Sequence, residues 1–184
     1  DLDGDGVVDT RIHLLQFSET GRHKSDGKDF CVGPGFSLSI TPVQTMSSGK
    51  IVVDQLGELQ IDPGYFTDQK DLDRMKLALN FCLELLESEP LKEFVEEIQD
   101  YDLIKNDPET YIRSTFFSGH HLIGGCSNVI DGNFEVNNYP GLFVCDASVF
   151  SEFVSSNIHA PVVLLAKLFS EKFVERFESN SNGR

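Results

Sequence analysis

Three short blocks near the C-terminal end gather the residue types that acid–base chemistry needs: Gly119-His120-His121-Leu122-Ile123-Gly124-Gly125-Cys126, Val144-Cys145-Asp146-Ala147-Ser148 and Ser155-Ser156-Asn157-Ile158-His159-Ala160-Pro161. Imidazole titrates near neutrality and can take or return a proton at physiological pH. His159 precedes Ala160-Pro161, where a helix can open, and the unbonded N–H groups of a helix mouth attract negative charge. Taken alone, a His120-His121 pair is an ordinary strand-edge feature and His159 an ordinary cap.

A second candidate lies at the other end. Asp1, Asp3, Asp5 and Asp9 stand at the first, third, fifth and ninth positions of an EF-hand-type calcium loop, with Gly6 at its turn and Val8 apolar. Ile12 replaces the bidentate acid at the twelfth position, and no helix clearly flanks the loop. A plain solvated acidic turn therefore stands beside the calcium reading. A weak calcium site would suit a secreted or secretory-pathway setting. Cys31, Cys82, Cys126 and Cys145 form no C-x-x-C pair, which argues against zinc and redox motifs and leaves at most a disulfide or two.

Around these residues the chain has ordinary globular chemistry. It is 184 residues long, 40% hydrophobic and 24% charged, enough to bury a core as one domain or as a piece of a larger one. A formal net charge of −15 argues against nucleic acid and anionic membrane surfaces as partners, since phosphate recognition needs concentrated Lys and Arg. The longest apolar stretch, residues 161–169, is interrupted by Lys167 and falls short of the roughly 20 residues of a membrane span. The start at Asp1, without a Met or a charged-then-apolar leader, reads as a processed product or part of a longer polypeptide.

The elements that must position the histidines can be read from period and punctuation. Residues 12–17, 35–40 and 50–54 have strand length and character, residues 21–29 read as a polar exposed excursion, and Ser47-Ser48-Gly49 is a turn. Leu72, Met75, Leu79, Leu83 and Leu86 make one stripe on a long helix that Thr67 or Asp68 can cap. A shorter helix is expected over residues 91–99, and Asp107-Pro108-Glu109 opens another. The last helix is expected to start at Pro161 and bury Val162, Leu165, Phe169 and Phe173, with a frayed tail over residues 179–184. Strands and helices mix without a βαβ rhythm, so the fold class is α+β with an antiparallel sheet. No G-x-G-x-x-G follows a strand, so any dinucleotide-binding half lies outside this chain.

In order along the chain, these residues resemble the C-terminal half of the glucose-methanol-choline (GMC) family of FAD-dependent oxidoreductases. Asp9-Thr10-Arg11-Ile12-His13-Leu14, Ser48-Gly49-Lys50-Ile51 and Ile61-Asp62-Pro63-Gly64-Tyr65 are similar to that family's P-D-x-Q-x-H, S-x-G-x-V and I-D-P-x-Y elements. His121 to Cys126 sits where the family has H-x-x-G-T-C, Val129-Ile130-Asp131 through Asp146-Ala147-Ser148 resembles V-V-D through D-A-S, and Ser155 to Pro161 resembles S-G-N-x-[NH]-A-P. Three blocks in register turn the His pair from an ordinary feature into a site. Gly125 replaces the family's Thr, Ser156 its Gly, and Ser127-Asn128 with a shorter connection its R-M-G.

The resemblance implies His121 as catalytic base and His159 as its partner. It also implies FAD contacts at Asp146, Ala147, Asn157, Ala160 and Pro161, and a flavin shared with an N-terminal FAD-binding portion of the same protein or a companion chain. On that footing residues 1–112 form a substrate-binding domain and residues 113–178 complete the FAD-binding domain. The implied reaction is oxidation of a small-molecule alcohol or sugar by hydride transfer to flavin. Two alternatives use the same residues: a non-catalytic structural component of an extracellular assembly, and an FAD-containing lyase.

Overall fold

The computed structural model of the chain describes residues 1–2, 4–18, 34–155 and 157–181. Two compact units divide it: Asp1–Ser48 with Tyr65–Gly119, and Gly49–Gly64 with His120–Arg184. The polar excursion at residues 21–29, Asp3 and Ser156 fall outside the described residues.

The first unit is built on α1 (Gln69–Glu87). Asp68 is its N-cap and accepts the Lys70 N–H at 2.9 Å, which satisfies one donor the first turn leaves orphaned. Leu72, Met75, Leu79 and Leu83 bury the expected stripe, joined by Ile104 and Ile112, with Ile40, Phe66, Ile98 and Tyr111 packed against them. Asp71, in the first turn, is buried because it accepts the N–H groups of Met46 (2.9 and 3.1 Å) and Ser47 (2.7 Å), tying that turn to the helix. A carboxylate at a helix N-terminus with backbone donors is the setting in which burial of a charge is tolerated.

Strands β1 (Thr10–Leu15) and β2 (Ser37–Pro42) pair antiparallel, from Thr10 opposite Pro42 to Leu15 opposite Ser37. After α1 the expected helix over residues 91–99 is only a single 3-10 turn, Leu91–Phe94. Its apolar side chains Leu91, Val95 and Ile98 are only half-buried, Phe94 is exposed, and no side chain caps its N-terminus, so a longer helix here is marginal. Helix α2 (Tyr101–Asn106) forms instead, entered through Asp100 at φ 54°. Helix α3 (Pro108–Thr115) has Asp107 as its cap, accepting the Thr110 N–H at 3.1 Å, and Pro108 in its first turn.

The second unit contains the ribbon β3 (Lys50–Val53) and β4 (Leu59–Asp62), also antiparallel. Asp54 closes its tip, accepting the Leu56 and Glu58 N–H groups at 2.9 Å each, while Gly57 takes φ 82°. A Cβ at Gly49 would lie 1.9 Å from the Asp62 carbonyl oxygen, so glycine is what lets the open end of the ribbon close. Helix α4 (His159–Ser181) ends the described chain. It begins two residues before Pro161 and runs to Ser181; residues 182–184 of the expected tail lie outside the described residues. Pro161 sits in its first turn, where a missing N–H costs nothing. Val162, Leu165 and Phe169 are half-buried, and Phe173 is 37% exposed rather than buried. The α+β class with antiparallel pairing is what the two units show.

Candidate functional site

His121 follows a residue in an unusual conformation: the backbone of His120 is left-handed, with φ 58°. A non-glycine residue pays for that geometry, and such residues gather where structure is held for function. His121 itself is half-buried. Gly124 also takes positive φ, 90°, so glycine is needed there for its backbone freedom. Gly125 is under no such demand. A Cβ there would meet Ser148 Cβ at 3.9 Å and Ile51 Cδ1 at 4.0 Å, ordinary contact distances.

The turn is then locked. Ser127 donates to the Gly124 carbonyl from its N–H (3.2 Å) and its Oγ (3.0 Å). The Cys126 N–H donates to the Ser148 carbonyl at 2.8 Å. That bond joins the first block to the second. In the second block Asp146 caps a 3-10 turn, Ala147–Val149, its Oδ1 accepting the Ser148 N–H at 2.8 Å. The Asp146 carboxylate therefore shapes its own loop. Burial, with the Asp146 charge adding to it, pushes the Cys145 thiol up, which keeps it protonated and unreactive.

The third block starts α4. The first helical bond runs from the Val162 N–H to the Ile158 carbonyl at 2.9 Å, so the N–H groups of His159 and Ala160 lead the helix and Pro161 has none. His159, Ala160 and Asn157 are exposed, and Pro161 is half-buried. Among the described residues no hydrogen bond or ion pair links His121 to His159.

Glu135, Lys172 and Arg176, which no motif marked, hold α4 in place. Asp131 Oδ1 accepts the N–H groups of Asn133 (2.8 Å) and Glu135 (2.9 Å) and shapes the segment leading to Val144, whose N–H donates to the Phe134 carbonyl at 3.0 Å. Arg176 of α4 bonds Glu135 at 2.7 Å, and Lys172 donates to the Gly132 carbonyl at 2.8 Å. Phe134, Phe143, Phe169 and Phe173 pack edge-on or tilted at 5.3 to 5.9 Å between centroids, and Arg176 stands 5.5 Å from the Phe143 ring centroid. Arg176 holds Glu135 below the usual carboxylate range, with the Gly141 N–H adding to the effect. An open cavity of about 410 Å³ lies at this clamp, between Asp131, Glu135, Lys172 and Arg176, and its lining includes neither histidine. The aromatic spacing on α4 was a visible signal. Its partners, more than twenty residues earlier, had none.

The described carboxylates of the acidic loop are engaged by protein donors. Asp1 accepts the Gly4 and Gly6 N–H groups (2.8 and 3.0 Å), and Asp5 accepts the Val7 N–H (2.8 Å) and pairs with Arg74 at 3.2 Å. Asp9 is buried with Arg74 Nε 3.8 Å away. A guanidinium thus supplies the positive charge a cation would have brought. Asp3 lies outside the described residues, and among the described ones no three His, Cys, Asp or Glu side chains gather to hold a metal. Cys82, Cys126 and Cys145 are free thiols, and burial pushes that of Cys82 up to about 11.

The family description that matches this sequence is GMC oxidoreductase, over residues 45–166, well over half the chain and all three blocks. This chain belongs to the GMC oxidoreductase family. It is similar to an alcohol dehydrogenase [acceptor] of Pseudomonas putida, 26% identical over 170 residues, covering 86% of this chain and 31% of the relative. It is also similar to oxygen-dependent choline dehydrogenase 1 of Chromohalobacter salexigens, 25% identical over 161 residues, covering 80% and 29%. In fold it resembles the crystal structure of pyridoxine 4-oxidase from Mesorbium loti, with a TM-score of 0.65, 22% identity, and coverage of 78% of this chain and 30% of that one. The GMC chain described here therefore spans about a third of the length of these relatives.

Proposed function

We propose that this chain is the C-terminal, acid–base wall of an FAD-dependent oxidoreductase that oxidises the CH–OH group of a small alcohol or sugar. What carries the reading is the Cys126-to-Ser148 hydrogen bond, which brings the turn after His121 against the Asp146–Ser148 turn within one unit. The names of the relatives add support, since alcohol and choline are both hydroxyl-bearing substrates.

The residues present suit one side of a flavin. Gly124 at positive φ shapes the turn after His121, the Asp146 carboxylate is occupied by its own loop, and the N–H groups of His159 and Ala160 lead α4. In this reading Asp146, Ala147, Asn157, Ala160 and Pro161 hold the cofactor, with the remaining polypeptide supplying the nucleotide-binding portion. FAD, when bound, supplies the two-electron acceptor for a hydride.

An alcohol releases its carbon-bound hydrogen as hydride only while its hydroxyl proton is leaving to a base. An imidazole nitrogen of His121 takes that proton. His159 hydrogen-bonds the substrate oxygen and orients it. The positive end of α4 favours the negative charge that grows beside it. A protonated His121 then returns its proton to solvent before the next turnover.

The test is direct. The purified full-length polypeptide carrying this chain should contain flavin, and an alcohol or sugar substrate should bleach its absorbance anaerobically. Absence of flavin, or cleavage of the substrate with no bleaching at any stage, overturns the reading.

A further inference from the structure

His121 stands in a stretch that no regular element holds: residues 116–124, between the end of α3 and the Gly124 turn, belong to no helix or strand. A side chain on such a stretch is placed only as well as the ends of the stretch are anchored. The downstream end is fixed by the bonds of Ser127 to Gly124 and of Cys126 to Ser148. The upstream end is fixed by the two residues that follow Gly64.

Tyr65 and Phe66 both close on Phe116, the residue that ends α3. Their rings meet the Phe116 ring edge-on, at 4.6 and 4.8 Å between centroids. Neighbouring side chains of an extended chain point to opposite sides, so two in a row on one partner need a bend. Phe66 supplies it with a left-handed backbone at φ 56°, which a non-glycine residue adopts only under constraint. The anchor is itself firm, because Phe66 packs against the closed core around α1 and the Arg113 guanidinium stands 5.6 Å from its ring centroid. From this footing the Tyr65 hydroxyl donates to Ser118 Oγ at 2.8 Å, three residues before His121. Tyr65 is 39% exposed, so water competes for that bond and it adds little to global stability. What it restricts is the exit from α3 toward the histidines.

We propose that Tyr65 is a positioning residue for His121: by holding Ser118 it fixes where the stretch carrying the imidazole begins, so the base meets the hydroxyl proton without first having to order its own loop. The inference rests on the reading of His121 as the general base. It adds a residue that holds this base from outside all three C-terminal blocks.

Two readouts on the full-length polypeptide carrying this chain test it. Tyr65→Phe keeps the ring on Phe116 and removes only the bond to Ser118. The limiting rate of anaerobic flavin reduction by choline or glucose should fall about three- to tenfold, the worth of one hydrogen bond realised in the transition state, at unchanged flavin content and unchanged half-saturating substrate concentration. In a His121→Ala background the same change should leave the rate within about twofold, because a residue acting through the imidazole has nothing left to act on. Tyr101→Phe, which removes a hydroxyl bond to Glu87 (3.0 Å) in the same unit as Tyr65, should leave the rate as it is. In the second readout, with histidine labelled at imidazole Cε1, Tyr65→Phe should shift or broaden the nuclear magnetic resonance signal of His121, identified by its loss in His121→Ala, and Tyr101→Phe should not. An unchanged His121 signal or an unchanged rate in Tyr65→Phe overturns the inference. So does equal slowing in both backgrounds, since Tyr65 then serves the fold and not the base. A displaced His121 signal in a polypeptide without flavin would defeat the functional reading and leave the hold of Tyr65 on His121 standing.

Discussion

Leu72, at the centre of the first unit, is fully buried, and every buried apolar side chain among the described residues lies in that unit. The second unit carries His121, His159 and the Asp146 turn, and there even the best-packed phenylalanines of α4 are only half-buried. One unit closes its own core around α1. The other spends its apolar side chains on a ribbon face and a helix face that nothing in the described chain covers. The contrast ties the site to incompleteness: the residues that could do chemistry stand on the unit least able to hold itself together.

The largest test of that contrast is a pair of truncations. Leu72→Ala should cost about 2–5 kcal/mol in chemical denaturation, because a fully buried Leu leaves a cavity in a closed core. Leu164→Ala, at a position 58% exposed, should cost within about 0.5 kcal/mol in the isolated chain. Equal costs would erase the distinction between the units. Next in size, Asp71→Ala strands the N–H groups of Met46 and Ser47 and should cost about 1–3 kcal/mol, read in the same experiment. A negligible change would mean that the turn at residues 46–47 is not held by α1.

The smallest effect concerns pH. Glu135 is held below the usual carboxylate range by Arg176, so the Glu135–Arg176 pair adds stability above the unfolded-state pKa of Glu and loses it as pH falls through the lower folded value. Backbone donors from Glu135 and Asn133 lower Asp131 in the same way. Asp131 is exposed and Glu135 half-buried with an exposed partner, so solvent screens both and the effect is local. Hydrogen exchange in the C-terminal half of α4 should quicken on acidification below the ordinary Glu range, and Glu135→Gln should remove most of that dependence. An unchanged pH response in the variant would place the acid sensitivity elsewhere.

Much of this was legible because it is local. Asp68 and Asp107 announce α1 and α3 by cap chemistry within three residues of the first turn, and the Leu72-to-Leu83 stripe fixes which face goes inward. The misses have non-local or competing causes. The helix expected over residues 91–99 lacks a side-chain cap and its apolar side is only half-buried, and α2 instead follows Asp100, whose left-handed backbone no residue type demanded. Strand β4 was hidden inside the Ile61-Asp62-Pro63 motif, because strand character there comes from pairing with β3. The spacing of the first nine residues gave no sign that Arg74, more than sixty residues away, pairs with Asp5 and Asp9. For the site, the sequence placed the start of α4 within two residues, while the Glu135–Arg176 clamp required partners that no spacing links.

The most direct measurement is the rate of anaerobic flavin reduction by an alcohol substrate in the full-length polypeptide, compared between the natural sequence and His121→Ala. A general base contributes typically 10²- to 10⁴-fold, so the variant should slow by about that factor while binding the same amount of FAD. A variant with full flavin content that is reduced as fast as the natural sequence would contradict the account.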